Sequence, residues 1–154
     1  MTIRVVGIGN SDRGDDAVGL LVVEALRADP PTGVELLTSR GDMLALLDQI
    51  DGADLVVLVD AVVSGAAAGT ILRIDATDGA VKQQLSQFTS THAFNLAEGI
   101  ELARSLGRMP GRLVVYGIEG VEFGMGQPPG TAVRDAIDEV GNRIREECKC
   151  TKHP

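Results

Sequence analysis

The sequence is poor in aromatic residues and in positive charge. It contains no tryptophan and one tyrosine, and aromatic residues make up 3% of its 154 residues. Single-stranded nucleic acids stack their bases on aromatic side chains, and all nucleic acids attract basic proteins. The formal net charge of this chain is −8. We therefore expect that it binds neither nucleic acids nor anionic membranes.

Cysteine and histidine are also scarce, which excludes several kinds of metal and nucleophile chemistry. The two cysteines, Cys148 and Cys150, cannot form a disulfide framework. Together with His153 they offer only three ligands near a charged terminus, so we expect no soft-metal site there. The other histidine, His92, cannot alone build the two-histidine motif of zinc proteases. Neither a serine nucleophile elbow nor a Walker loop occurs.

Long apolar runs are missing too. No run approaches the length of a membrane-spanning helix, and the first residues do not resemble a secretory signal. We therefore expect a cytoplasmic protein, and we expect a monomer. Hydrophobic residues make up 44% of the chain, which is long enough for one domain with a substantial core. We predict a single α/β domain over residues 1–147 and a C-terminal tail over residues 148–154.

The spacing of apolar residues predicts alternating strands and helices. The predicted strands cover residues 3–6, 34–37, 54–60, 70–74 and 112–116. The first predicted helix ends near residue 29. The other three cover residues 43–50, 93–106 and 132–147. Asp42 is a predicted cap of the second helix. Residues 75–90 are predicted as a loop with one helical turn.

One connection sets the topology of the predicted sheet. Residues 61–69 are too few for a crossover helix, so the strand after them is predicted to be antiparallel and to lie at a sheet edge. We predict a three-layer α/β sandwich with helices on both faces of a twisted, mostly parallel five-stranded sheet.

A glycine loop with three acidic residues follows the first strand. Gly7 and Gly9 match the start of a dinucleotide-binding loop, but Asp12 occupies the third glycine position. Asp15 and Asp16 add negative charge where a phosphate would bind, so we expect no nucleotide or organic cofactor. The two aspartates favour a cation, or they simply cap the following helix.

Two acidic side chains are expected to share one crevice. Ligands of open α/β sheets bind beyond the carboxyl ends of the strands, where the strand order reverses. If the order begins 2-1-3, Asp16 after the first strand and Asp60 at the end of the third lie side by side. A structural alternative for Asp60 is a hydrogen bond to a neighbouring loop, and His92 is alternatively a helix cap or a surface residue. Two carboxylates and one imidazole together suit a divalent ion.

Several motifs resemble those of the hydrogenase maturation protease family, in order from Val5 to about Ile137. They are Gly7-x-Gly9-Asn10, Gly14-Asp15-Asp16-x-x-Gly19, Asp60-Ala61, Thr91-His92, and Tyr116-Gly117-Ile118-Glu119 with Phe123-Gly124-Met125-Gly126. The resemblance implies that Asp16, Asp60 and His92 are the catalytic residues and bind a divalent metal. It further implies an endopeptidase that removes a short C-terminal peptide from the large-subunit precursor of a nickel–iron hydrogenase after nickel insertion. The implied metal is nickel presented by this precursor.

The chain departs from the family pattern at two places. Several members carry glutamate where this chain has Asp16, and the neighbouring Asp15 is expected to compensate in part. Members often carry Asp-Gly-Gly-Thr after the second strand, where this chain reads Leu37-Thr38-Ser39-Arg40-Gly41. This difference bears on which hydrogenase is processed.

The residues leave two mechanisms and two other functions open. A metal polarises the scissile carbonyl or activates water, or Asp15, Asp16 or Asp60 acts as general base. One alternative function is a phosphoacceptor receiver domain, which needs a lysine after the last strand. None of the three lysines lies there, and residues 116–118 read Tyr-Gly-Ile. The other is a non-catalytic metal-binding or chaperone module on the same fold.

Overall fold

The structure, a computed structural model, describes residues 1–78, 89–90 and 96–152. The strands in these residues are β1 (Ile3–Ile8), β2 (Val34–Ser39), β3 (Leu55–Val63), β4 (Ile71–Asp75), β5 (Thr89–Ser90) and β6 (Arg112–Glu119). The α-helices are α1 (Val18–Ala28), α2 (Met43–Ile50), α3 (Leu96–Ser105) and α4 (Thr131–Lys152), and a short 3-10 helix at Gly14–Ala17 precedes α1. None of these helices is both long and apolar enough to cross a membrane.

The strands form one mixed sheet in the order β2-β1-β3-β6-β4. Strands β1, β2, β3 and β6 are parallel, and β4 runs antiparallel to β6 at the edge of the sheet. The predicted α/β fold, with one antiparallel edge strand and an order beginning 2-1-3, is therefore confirmed. The two-residue strand β5, which pairs with the end of β3, was not predicted.

The core has two halves, one on each face of the sheet. β3 is buried along almost its whole length because its apolar side chains alternate between the two faces. Val57 packs with α1 and α4 on one face, and Leu58 packs with α2 and α3 on the other. Helices thus cover both faces, as predicted for a three-layer sandwich.

All five predicted strands end too early, and the difference is largest, at three residues, for β3 and β6. β3 continues past Asp60 to Val63, and β6 continues past Tyr116 to Glu119. The two extensions stabilise each other, because residues 60–62 of β3 pair with residues 117–119 of β6. Asp60 therefore lies inside its strand instead of ending it.

The ends of the helices also differ from the prediction. α4 runs to Lys152, so the helix continues into the region predicted as a tail from residue 148. Cys148 is buried in the core against α1, which explains why the helix extends. Asp42 caps α2 as predicted, because its carboxylate accepts a hydrogen bond of 2.9 Å from the N–H of Leu44. Most of the predicted loop at 75–90 and the start of the predicted helix at 93–106 lie outside the described residues.

A polar cluster ties α4 to the edge of the sheet. The hydroxyl of Tyr116 on β6 donates to the carboxylate of Glu147 on α4, at 3.0 Å. Arg73 on β4 also binds Glu147, and Arg112 lies 3.7 Å from its second oxygen. Burial, the negative charge of Glu147 and this hydrogen bond together raise the pKa of Tyr116 to about 12.

This pKa can be measured directly, because Tyr116 is the single tyrosine and the chain has no tryptophan. We expect tyrosinate absorbance to rise with a midpoint near pH 12. The folded state holds this proton more tightly than the unfolded chain, so stability should fall as the pH rises from about 10 towards 12. Glu147→Gln should move the midpoint towards 10, but not reach it, because burial remains. A midpoint at pH 10, in protein that circular dichroism shows to be folded, would contradict the assignment.

Candidate functional site at the carboxyl edge of the sheet

Two glycines let the acidic turn, which we define as residues 12–16, pack directly on the sheet. A side chain at Gly19, in the first turn of α1, would collide with the carbonyl oxygens of Ile8 and Val59. A side chain at Gly7 would collide with Gly19 itself. The glycine pattern therefore serves close packing of α1 on the ends of β1 and β3. It places the 3-10 helix at Gly14–Ala17 against the carboxyl edge of the sheet.

Asp16 and Asp60 both lie at this edge and are buried. Asp16 belongs to the 3-10 helix and is 0% exposed, and Asp60 lies near the end of β3 and is 1% exposed. Both carboxylates are thus shielded from water at this edge of the sheet. Each residue makes interactions, although Oδ2 of Asp16 and Oδ1 of Asp60 are buried atoms without a hydrogen-bond partner. Two enclosed carboxylates at one edge make a strongly acidic environment.

The alternation of β3 indicates the face on which Asp60 lies. Val57 and Val59 pack on the α1 and α4 side, whereas Val56 and Leu58 pack on the α2 and α3 side. Asp60 is two residues after Leu58, so it lies on the same α2 and α3 side of the sheet. α3, which packs on that face, is the helix that follows His92 in the chain.

His92, the third predicted site residue, lies outside the described residues. In residues 1–78 and 96–150, no three histidine, cysteine, aspartate or glutamate side chains are grouped so that they could hold one metal ion. This observation does not test the predicted trio, because the trio includes His92.

The side chain of Asp15 binds a loop that is distant in the sequence. The N-cap residues of the 3-10 helix and of α1 are Arg13 and Ala17, so neither Asp15 nor Asp16 is the N-cap that the sequence indicated. The carboxylate of Asp15 instead accepts hydrogen bonds from the N–H groups of Val121, Glu122 and Gly130, at 2.8, 2.9 and 2.7 Å. Both of its oxygens thus bind backbone N–H groups, and the expectation that Asp15 compensates in part for Asp16 stays a prediction.

Glu119 is a buried carboxylate at the same edge to which sequence reasoning gave no role. It accepts hydrogen bonds from the N–H of Ser64 at 2.7 Å, from the Ser64 hydroxyl and from the N–H of Ala66 at 3.0 Å. These bonds fix the loop that follows β3. The sequence does contain a signal for Glu119, because this residue follows an apolar run as Asp60 does.

Fold and site together define a class of protein. It is an open α/β protein with carboxylates at the carboxyl edge of its sheet, which suit a cation better than a nucleotide phosphate. Comparison with known proteins identifies the family within this class.

The family model for hydrogenase maturation proteases matches residues 20–147. The hydrogenase 2 maturation protease of Escherichia coli strain K12 is 31% identical over 153 residues, which cover 95% of this chain and 92% of that protein. The hydrogenase expression/formation protein HupD of Thiocapsa roseopersicina is also 31% identical, over 96% of this chain, which spans only 61% of its length. The chain therefore belongs to the hydrogenase maturation protease family.

Solved structures agree with this assignment. The hydrogenase maturating endopeptidase HybD from E. coli superimposes with a TM-score of 0.79 at 27% identity, covering 94% of this chain and 90% of that one. A [NiFe] hydrogenase maturation protease from Thermococcus kodakarensis, at 19% identity and a TM-score of 0.76, shares the fold. The resemblance inferred from the motifs is confirmed, and the family is one of peptidases. The receiver-domain alternative receives no support from these comparisons.

Proposed function

We propose that this protein is the endopeptidase that removes the C-terminal extension from the large-subunit precursor of a nickel–iron hydrogenase after nickel insertion. Family membership supports the reaction class. The observation that carries the proposal is the placement of two buried carboxylates, Asp16 and Asp60, at one edge of the sheet. The precursor is the partner, and the protein acts on it as a monomer.

Asp16, Asp60 and His92 bind the nickel that the precursor presents. Carboxylate oxygen and imidazole nitrogen are donors that a divalent ion such as nickel accepts. A bound cation also offsets the cost of keeping two negative charges out of water. Three protein donors leave coordination positions for groups of the precursor, so the isolated protein should retain metal weakly. Nickel is thus part of the substrate and serves to recognise it.

The contacts narrow the choice of general base. Asp15 already accepts three backbone hydrogen bonds from residues 121, 122 and 130, and we infer that this structural role makes it a poorer base than Asp16 or Asp60. Asp16 and Asp60 remain as the candidates that activate the attacking water. Nickel bound beside them holds the scissile peptide in reach, which supplies the positioning that such a reaction needs.

Cleavage of purified precursor tests this function. We expect chelator-treated protein to cut nickel-loaded precursor at one peptide bond near its C-terminus and to leave nickel-free precursor intact. Mass spectrometry of the product measures both outcomes. Efficient cutting of nickel-free precursor would refute recognition through nickel. Binding of loaded precursor without any cleavage would instead support the non-catalytic metal-binding or chaperone module.

A further inference from the structure

Loop 120–130, between β6 and α4, is joined to the acidic turn by several hydrogen bonds. Three of them are made by the side chain of Asp15. Three more join backbone groups: Gly14 N–H to the carbonyl of Gln127, Asp15 N–H to that of Glu122, and Gly126 N–H to that of Asp12. The loop and residues 12–15 therefore form one hydrogen-bonded unit, with Asp15 at its centre.

The surroundings of Asp15 explain why a buried charge is stable there. Its two oxygens accept three N–H groups, which compensate for the lost hydration. Gly130 directly precedes α4, and its carbonyl accepts the N–H of Arg134 in the first helical turn. The carboxylate thus lies at the amino end of a 22-residue helix, where the helix dipole favours negative charge. No metal is needed to stabilise this carboxylate.

The position of Asp15 connects this unit to the proposed ligand. Asp16 is the next residue in the same 3-10 helix, and its backbone carbonyl accepts the N–H of Asn10 at 3.2 Å. The 3-10 helix is therefore bonded on one side to the loop after β1 and on the other to loop 120–130. Releasing one side would let Asp16 shift relative to β3 and Asp60.

We propose that Asp15 is a positioning residue, which fixes loop 120–130 to the acidic turn and so holds Asp16 in place for cleavage. This inference rests on the proposed function for its kinetic consequence. Its structural part, the coupling of loop and turn, is independent of that function.

The substitution Asp15→Asn tests the role of Oδ1, the carboxylate oxygen that accepts the N–H of Gly130. Asparagine has one acceptor oxygen and one NH2 group. If its oxygen keeps the N–H groups of Val121 and Glu122, its NH2 group faces the N–H of Gly130. This arrangement preserves more hydrogen bonds than the flipped one, so the bond to Gly130 is the one that should be lost.

We expect amide exchange at Gly130 to become at least tenfold faster in Asp15→Asn, while Val121 and Glu122 keep their protection. We expect kcat for precursor cleavage to fall at least tenfold with KM changed less than threefold, because misalignment of Asp16 affects the reaction more than binding. Val140→Ala, in the core of α4 and away from the loop, is the control for a general loss of stability. It should leave kcat and the relative protection of Gly130 unchanged.

Native-state exchange of the wild-type protein provides a second test that needs no variant. If Asp15 couples the two segments, the amides of residues 14, 15, 121, 122 and 130 should exchange through one common opening. Independent opening of the loop, or an Asp15→Asn protein with normal kcat, would overturn the proposal. Absence of cleavage by the wild-type protein would refute the proposed function instead, and the exchange data would still decide the coupling.

Discussion

Replacing Asp60 by asparagine should slow cleavage of nickel-loaded precursor at least ~100-fold, whether the carboxylate binds nickel or acts as the general base. Asparagine has nearly the same shape, so the packing around β3 is retained. It also removes a charge from a position that is 1% exposed, where a charge is costly. We therefore expect the free energy of unfolding to change by no more than about 1 kcal/mol. Product mass and denaturant unfolding measure the two effects.

An exposed aspartate on the same sheet provides the control. Asp75, at the end of β4, accepts a hydrogen bond from the N–H of Thr77, which an asparagine oxygen can also accept. Asp75→Asn should therefore cleave normally. His92→Ala should lose activity as Asp60→Asn does and also remain folded. If Asp60→Asn cleaved at the normal rate, or unfolded as a core variant does, Asp60 would not be a site residue.

The fold was predictable because its central signal is local. β3 has a continuous apolar run, which is typical of a parallel strand buried on both faces, and the short connection after it indicated an antiparallel edge strand. The strand ends were not predictable in this way. Ala61 and Val62 extend β3 because they pair with β6, which lies more than 50 residues further along the chain.

The same distinction separates the acidic residues of the site. Topology placed Asp16 and Asp60 at one edge of the sheet, because the carboxyl ends of neighbouring parallel strands meet there. The partners of Asp15 are over 100 residues away, and those of Glu119 are over 50 residues away. Nothing near Asp15 in the sequence distinguishes a loop anchor from a helix cap, so the local interpretation was wrong. Asp15 and Glu119 thus hold loops in place, whereas Asp16 and Asp60 are the proposed ligands.

Introducing a charge into the centre of β3 should prevent folding. Val57 is 0% exposed and pairs with Val5 of β1 on one side and Val114 of β6 on the other. Val57→Asp would place a carboxylate among apolar side chains between the sheet and helices α1 and α4. An isolated buried charge costs several kcal/mol even when it is neutralised by protonation, which is comparable with the about 5–15 kcal/mol stability of a typical domain.

A valine-to-aspartate substitution at an exposed position of β3 provides a matched control for Val57→Asp. Val63, the last residue of β3, is 40% exposed, so a carboxylate there stays in contact with water. We expect Val63→Asp to change the free energy of unfolding by no more than about 1 kcal/mol, and Val57→Asp to give protein without a cooperative thermal transition. Circular dichroism and thermal melting compare the two variants. A cooperative melt for Val57→Asp near that of Val63→Asp would show that the face of β3 bearing Val57 is not the core, and the placement of Asp60 on the opposite face would fail with it.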